Sequence, residues 1–379
     1  MSALPPQAYA ASLAGFRKMS VHRLLALLRH HPPQQAFAIA TGQQPPPPNG
    51  LLAEVMNAKV RAEWCDDGRR RPPQQIWQQC RQLGIEVSVL GDPHHPALLM
   101  HDPLPAPVLF SLGDRSLLDG RRVAIVGTRN ATAAGRHMAR YFGHGLVQAG
   151  VHVVSGLARG IDGQAHAGAL DARQSLSSAG RPIAVVASGL DVVYPSEHRS
   201  LWQQVAQDGL LLSEAPPGAA PAAHQFPLRN RIIAGLSEIV VVVESRERGG
   251  SLITAMAAAE RGIPVMAVPG HATSRASLGV NELLRDGSAP AIDIDDVLVA
   301  LQLDHGQTLA LLTDRRLRPR PDDVPAYRLC ADRARTVGDV AQQLQAPMLE
   351  VAMALARLEQ SGWLVCVDGW FEVMGSPLR

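Results

Sequence analysis

Short apolar runs set the first pattern along the chain. Leu24-Leu25-Ala26-Leu27-Leu28 and the stretch Leu51 to Val60 predict two small helices, separated by Pro45-Pro46-Pro47-Pro48. Four successive prolines cannot be helical, so that break predicts a polyproline II loop or linker. A further helix is predicted from Pro73 to Leu83, behind the basic triplet Arg69-Arg70-Arg71. The triplet reads as a solvated turn or as a phosphate contact.

From Val123 the texture changes. Val123-Ala124-Ile125-Val126 predicts a buried strand ending at Gly127, followed by a helix from about Thr132 to Ala149. Val151-His152-Val153-Val154 predicts the next strand, then a loop from Ser155 to Gly160 and a helix from Asp162. Ile183 to Ala187, Leu210 to Leu212, Ile239 to Val243 and Val265 to Val268 continue the series. Continuous β-branched strands alternating with helices specify a parallel sheet covered on both faces. The prediction is a doubly wound α/β domain over 115–303.

Beyond Asp304 the segment Arg315-Arg316-Leu317-Arg318-Pro319-Arg320-Pro321 predicts a basic, proline-punctuated linker. One helix then starts at Thr336 to Ala341 and a second runs from Pro347 to Gln360. Ser361 to Val365 and Trp370 to Val373 pair around Asp368-Gly369, a strong hairpin signal. Two helices and a hairpin suggest a winged helix.

Composition narrows the class. Of 379 residues 46% are apolar, yet no apolar run is long enough to span a bilayer. The start Met1-Ser2-Ala3-Leu4-Pro5-Pro6 lacks the pattern of a signal peptide. Cys65, Cys80, Cys330 and Cys366 are scattered without metal spacing, which predicts reduced thiols, a cytoplasmic protein and no metal. The net charge of +2 is too small to argue for nucleic acid by itself, so the placement of charge decides.

In open parallel sheets ligands sit beyond the carboxyl ends of the strands. Three loops there are rich in Gly, Ser and Arg: Gly127-Thr128-Arg129, Ser155-Gly156-Leu157-Ala158-Arg159-Gly160, and Gly249-Gly250-Ser251-Leu252-Ile253-Thr254. Glycine admits close backbone approach and a helix N-terminus offers free N–H groups to an anion, so together they predict a phosphate-binding rim. Neither GxGxxG nor GxxxxGK[ST] is present, which argues against a dinucleotide enzyme and a P-loop ATPase. The segment Phe226-Pro227-Leu228-Arg229-Asn230-Arg231 supplies a ring for base stacking and cations for a backbone, as single-strand binders require. Alternatively Phe226 is core and the arginines pair with Glu214, Glu238 or Glu244. Asp162 and His166, four apart on a helix, read as a cap and a surface pair rather than as a general base.

These motifs, with Ile125-Val126 before the first turn and Gly250 to Ala255, Val268-Pro269-Gly270 and Gly279 to Leu284 after it, resemble the DNA-processing A (DprA) family. The resemblance runs from about Tyr9 to the C-terminus and is strongest over 121–303. It implies a helical domain resembling a SAM domain over 1–85, a connecting segment over 86–114 and an extended Rossmann-like domain over 115–303. A basic linker over 304–324 and a winged helix over 325–379 follow. It also implies binding of single-stranded DNA without catalysis or cofactor, dimerisation through the Rossmann domain, and help in loading RecA recombinase during natural transformation. Carried over, Arg129 holds a phosphate beside Thr128, Phe226 stacks on a base, and either both Arg229 and Arg231 line the groove or one of them instead braces the pocket. A basic residue belongs before the Phe-Pro pair; here stand Ala222-Ala223-His224.

The same loops are similar to those of nucleoside-phosphate hydrolases of the lysine-decarboxylase-like group. Their Gly-Gly-x-Gly-Thr-x-x-Glu signature is not met by Gly249 to Met256, which lacks the second Gly-Thr and the Glu. A duplex-reading winged helix is a third reading. Its second helix carries Glu350, Arg357 and Glu359, little positive charge for that task.

Overall fold

The computed structural model describes residues 4–45, 56–173, 179–302, 319–367 and 369–373, in two compact units divided between Leu312 and Thr313. Pro46 to Pro48, the start of the Leu51 helix, Arg315 to Arg318 and Asp368 lie outside the described residues.

The first unit opens with helices α1 (Pro6–Ala14), α2 (Val21–Leu28), α3 (Pro33–Ala40), α4 (Ala58–Arg70) and α5 (Pro73–Gln82). The helix read as ending at Val60 instead begins at Ala58, because Asn57 caps it: its Oδ1 accepts from the Val60 N–H at 3.0 Å. Arg69 and Arg70 therefore close α4 rather than forming a turn, and Arg70 pairs with Asp66 one turn back at 3.0 Å.

The α/β portion follows with β1 (Glu86–Val89), α6 (Ala97–Met100), β2 (Val108–Gly113), β3 (Arg122–Gly127), α7 (Ala133–Gln148), β4 (His152–Ser155) and α8 (Ile161–Arg173). It continues with β5 (Pro182–Val185), α9 (Arg199–Asp208), β6 (Leu210–Ser213), α10 (Gln225–Gly235), β7 (Ile239–Glu244) and α11 (Gly250–Ala259). β8 (Val265–Ala267), α12 (Leu278–Arg285), β9 (Ala289–Pro290) and α13 (Ile294–Ala300) complete it. The strands form one sheet in the order β1-β2-β6-β5-β4-β3-β7-β8-β9. All neighbours from β6 to β9 are parallel, while β1–β2 and β2–β6 are antiparallel.

The doubly wound parallel sheet read from the sequence is thus present, and three further strands extend it, β9 at one edge and β1 and β2 at the other. Residues 86–114, read as a connector, supply β1 and β2. Their β character was hidden because only the four-residue α6 separates them, too short to mark the strand–helix rhythm of the other strands.

Alternation along the central strands explains the layers. Val123 and Ile125 of β3, with Ile239 and Val241 of β7, enter the core under α7 and α8 that includes Phe142 and Ile161. Ala124, Val126, Val240 and Val242 point the other way, to Ile232 and Ile233 of α10. A third core joins Leu13, Leu27 and Trp64 of the first helices to Val186, Trp202 and Leu211, so those helices pack on the sheet region instead of standing apart.

The second unit contains α14 (Val324–Asp332), β10 (Arg335–Thr336), α15 (Val337–Leu344), α16 (Met348–Gln360), β11 (Leu364–Val367) and β12 (Trp370–Val373). The two helices and hairpin read from the sequence are there, with β10 added beside β12. Thr336 caps α15 through a capping box with Asp339, and Leu355, Leu358, Trp363 and Phe371 share the core.

Candidate nucleic-acid interface

Strand order reverses between β3 and β7, and a cleft of about 620 Å³ opens there beyond the strand ends. Its first wall is the turn after β3. The Thr128 N–H donates to the Glu244 carbonyl at 2.7 Å, tying the ends of the two strands together. The buried Glu244 carboxylate then accepts from the Thr132 N–H (2.8 Å) and hydroxyl (2.7 Å), while Thr132 Oγ1 caps α7 by accepting from Gly135 N–H. Glu244 therefore fixes the turn that presents Arg129, and does not pair with an arginine of the Phe226 segment.

The exposed Arg129 guanidinium lies over the Phe226 ring, its Cζ 4.6 Å from the ring centroid. Tyr194 stands on the same ring at 5.6 Å between centroids, tilted by 48°. Phe226 is half-buried at the start of α10, on the cleft wall, so it is not a core residue.

Gly127, Thr128, Arg129, Phe226, Arg229, Asn230, Gly250, Ser251 and Thr254 all line the cleft, as expected of a single site. Asn230 Nδ2 reaches the Gly250 carbonyl at 3.3 Å, joining α10 to the start of α11. Ser251 donates its hydroxyl to Ser245 at 2.9 Å.

Four residues chosen from the sequence stand outside it. Ser155 is fully buried and donates to the Ile125 carbonyl at 2.6 Å, fastening β4 to β3. Gly156 is buried too, and its carbonyl accepts from Arg229 Nη1 at 2.7 Å. Arg159 is exposed but ion-paired with Glu197. Arg231 is buried and its Nη2 meets Glu214 Oε1 at 2.6 Å, the pairing that spacing alone left open. The loop from Ser155 to Gly160 contributes Ala158 to the cleft instead, with Asp162 beyond it.

Arg229 borders the cleft as a brace. It is 6% exposed, and Nη1 also donates to the Val185 carbonyl. Burial lowers its pKa to about 10, with Asp162 acting against the shift. Burial likewise raises Asp162, while Arg229 opposes that. Asp162 and His166, read as a surface pair, are both buried, since the face of α8 that carries them, with Ile161 and Ala165, packs inward. Missed by the sequence reading were Arg246 and Arg248, exposed cations on the cleft rim directly beyond β7. Their signal was present, since two arginines precede Gly249-Gly250 at a strand's carboxyl end.

The family described as DNA recombination-mediator protein A matches residues 86–302, more than half of the chain. The chain belongs to that family. A DNA recombination-mediator A relative, the DNA processing protein DprA of Bacillus subtilis (strain 168), is 40% identical over 222 residues, covering 58% of this chain and 73% of its own length. The X-ray structure of DNA processing protein A from Streptococcus pneumoniae aligns with a TM-score of 0.65 at 29% identity, over 79% of this chain and 98% of that one. A structure of DNA processing protein A from Helicobacter pylori, described as giving insight into its single-stranded DNA binding mode, aligns at 0.51 and 29% identity over 57% and 96%. No helix among the described residues is long and apolar enough to cross a membrane.

Proposed function

We propose that this chain binds single-stranded DNA along the cleft between β3 and β7, tracking phosphates rather than reading sequence. The observation that carries the reading is Arg129 held over Phe226 at the mouth of a cleft rimmed by further arginines. A cation on an exposed ring is worth about 0.5–1 kcal/mol. A base stacked on an aromatic ring is worth about 1–3 kcal/mol. An incoming base therefore displaces the guanidinium favourably, and the freed Arg129 takes the adjoining phosphate. Arg246 and Arg248 extend the cationic track, and Arg229 holds the cleft wall from beneath.

In this reading the chain is a cytoplasmic binding protein, not an enzyme, which works as a homodimer through its Rossmann-like domain. It protects incoming strands and hands them to RecA recombinase in transformation. The N-terminal helices are its SAM-like domain and the second unit its winged helix, where α16 carries too few cations to read duplex.

Fluorescence anisotropy of labelled oligo-dT against matched duplex, with wild type and Arg129→Ala side by side, tests the reading. Tight single-strand binding that weakens in the variant and with rising salt is expected. Equal or stronger binding to duplex overturns it and directs attention to nucleotide hydrolysis.

A further inference from the structure

Helix α10 has a second cavity on its other flank. Phe226, Asn230 and Ile233 line the DNA cleft, whereas Gln225, Leu228 and Ile232 line a separate cavity of about 290 Å³; Arg229 borders both. This cavity lies beyond the carboxyl ends of β5 and β6 and is also lined by Met19 from the α1–α2 connection and by Val21 and Leu24 of α2. It is near the lower end of the size of small-ligand sites, about 300 Å³.

Its walls are mostly apolar, with Val186, Leu228 and Ile232 prominent. The Ser213 hydroxyl on its wall is already engaged, donating to the Ser188 carbonyl at 2.8 Å and accepting from the Ala215 N–H at 2.9 Å. Glu214 is different. Arg231 takes its Oε1 at 2.6 Å, no hydrogen bond to Oε2 is formed among the described residues, and the side chain is 20% exposed on the cavity wall. A carboxylate accepts only, so this edge of the cavity suits a flat group that donates a hydrogen bond, while Lys18, also on the lining, is engaged by Glu63 at 2.6 Å. Leu228, 43% exposed, adds an apolar surface two residues from Phe226.

We propose that this cavity receives a nucleobase bearing an exocyclic amino group, which donates to Glu214 Oε2. Cytosine offers the carboxylate both hydrogens of its N4 amino group, whereas thymine flanks its single N3–H donor with two carbonyl oxygens that repel the carboxylate, so cytosine is preferred. The base arrives either on a strand bound at Phe226, which rests on the reading above, or as a free nucleoside. In the first case the cavity adds a compositional preference to otherwise sequence-independent binding.

Two measurements on the full chain test this together. Anisotropy compares oligo-dC with oligo-dT of equal length, and saturation-transfer NMR follows free deoxycytidine and free thymidine. Both are repeated with Glu214→Gln, which removes the acceptor-only edge, and with Ala215→Phe, which fills the cavity. Leu228→Trp at the exposed mouth replaces Ala215→Phe should that variant fail to fold.

A preference for oligo-dC on the order of tenfold is expected, lost in either variant while oligo-dT binding persists. Without a signal from free deoxycytidine, that result assigns the base to the strand. A deoxycytidine signal lost in the variants, with thymidine silent, assigns a free nucleoside. The same signal in a protein that binds no single strand upholds the cavity while ending the strand-binding reading. Equal affinity for both homopolymers together with silent deoxycytidine overturns the proposal.

Discussion

Arg129 and Phe226, ninety-seven positions apart in sequence order (226 − 129), meet as a cation on a ring, with Cζ 4.6 Å from the centroid. Because the two residues touch, substitutions at them should not act independently on the strand binding proposed above. Phe226→Ala should cost about 1–3 kcal/mol of binding. Arg129→Ala should reduce the magnitude of the salt slope by about 0.7, the share of one phosphate contact on a single strand. The double variant should lose less than the sum of the two. Salt titrations of all four proteins check this, and unchanged binding in both single variants moves the groove elsewhere.

Arg231 lies only five positions beyond Phe226 but acts in the fold. It and Glu214 form an ion pair whose side chains are 7% and 20% exposed. Burial pushes the Glu214 carboxyl up, and Arg231 opposes that shift. Arg231→Met should therefore destabilise the protein by about 3 kcal/mol, because the carboxylate keeps its burial and loses its partner. Strand affinity of the folded variant should stay within about twofold, given that each interface contact it retains is independent of distant sites. Urea denaturation read beside anisotropy separates the two effects. Intact stability with lost binding would return Arg231 to the interface.

The contrast between these arginines marks how far the sequence was legible. Strand ends, Gly-rich turns and the Phe226 segment pointed to a site at the switch point, because backbone rules decide where such loops lie. Which cation faces the ligand was not legible. Arg129, Arg229 and Arg231 look alike in sequence, yet one stacks on Phe226, one braces two carbonyls from below and one pairs with Glu214. Helix rotation and burial decide this, and both depend on tertiary packing. Ser155 and Gly156 misled for the same reason: their loop folds under the sheet ends, and small residues there serve close packing. Strands β1 and β2 escaped notice because antiparallel pairing at a sheet edge leaves no strand–helix rhythm.

Gly160 packs against the turn that presents Arg129 without belonging to the cleft lining. Its φ is +75°, and a Cβ there would stand 2.3 Å from the Thr128 carbonyl oxygen. The neighbouring backbone is the turn that presents Arg129, so relief of the clash must move that turn. Gly160→Ala should destabilise by roughly 1–3 kcal/mol through strain at a left-handed position. It should also weaken strand binding although Arg129 and Phe226 are both retained. Thermal melting and anisotropy check the pair of effects, and wild-type affinity in a destabilised variant would uncouple this loop from the interface.

Acid should weaken the fold before carboxylates titrate. Burial pushes the His166 pKa down to about 3, and those of His95 and His152 down to about 4, from an ordinary 6.5. The unfolded chain then binds protons that the folded chain refuses. The stability that these neutral histidines confer is complete above pH 6.5 and declines as pH falls from 6.5 toward 4 and below. Each lowers stability by about 1.4 kcal/mol per pH unit in that window. Asp162 and Glu214, raised by burial, act in the opposite sense as pH rises through the carboxylate range. The decisive comparison is therefore the difference between wild type and His166→Gln at pH 7.5 and 5.5, by urea denaturation. The variant should start less stable but lose about 1.4 kcal/mol less across that interval. An equal loss in both proteins would mean that His166 takes up its proton without unfolding.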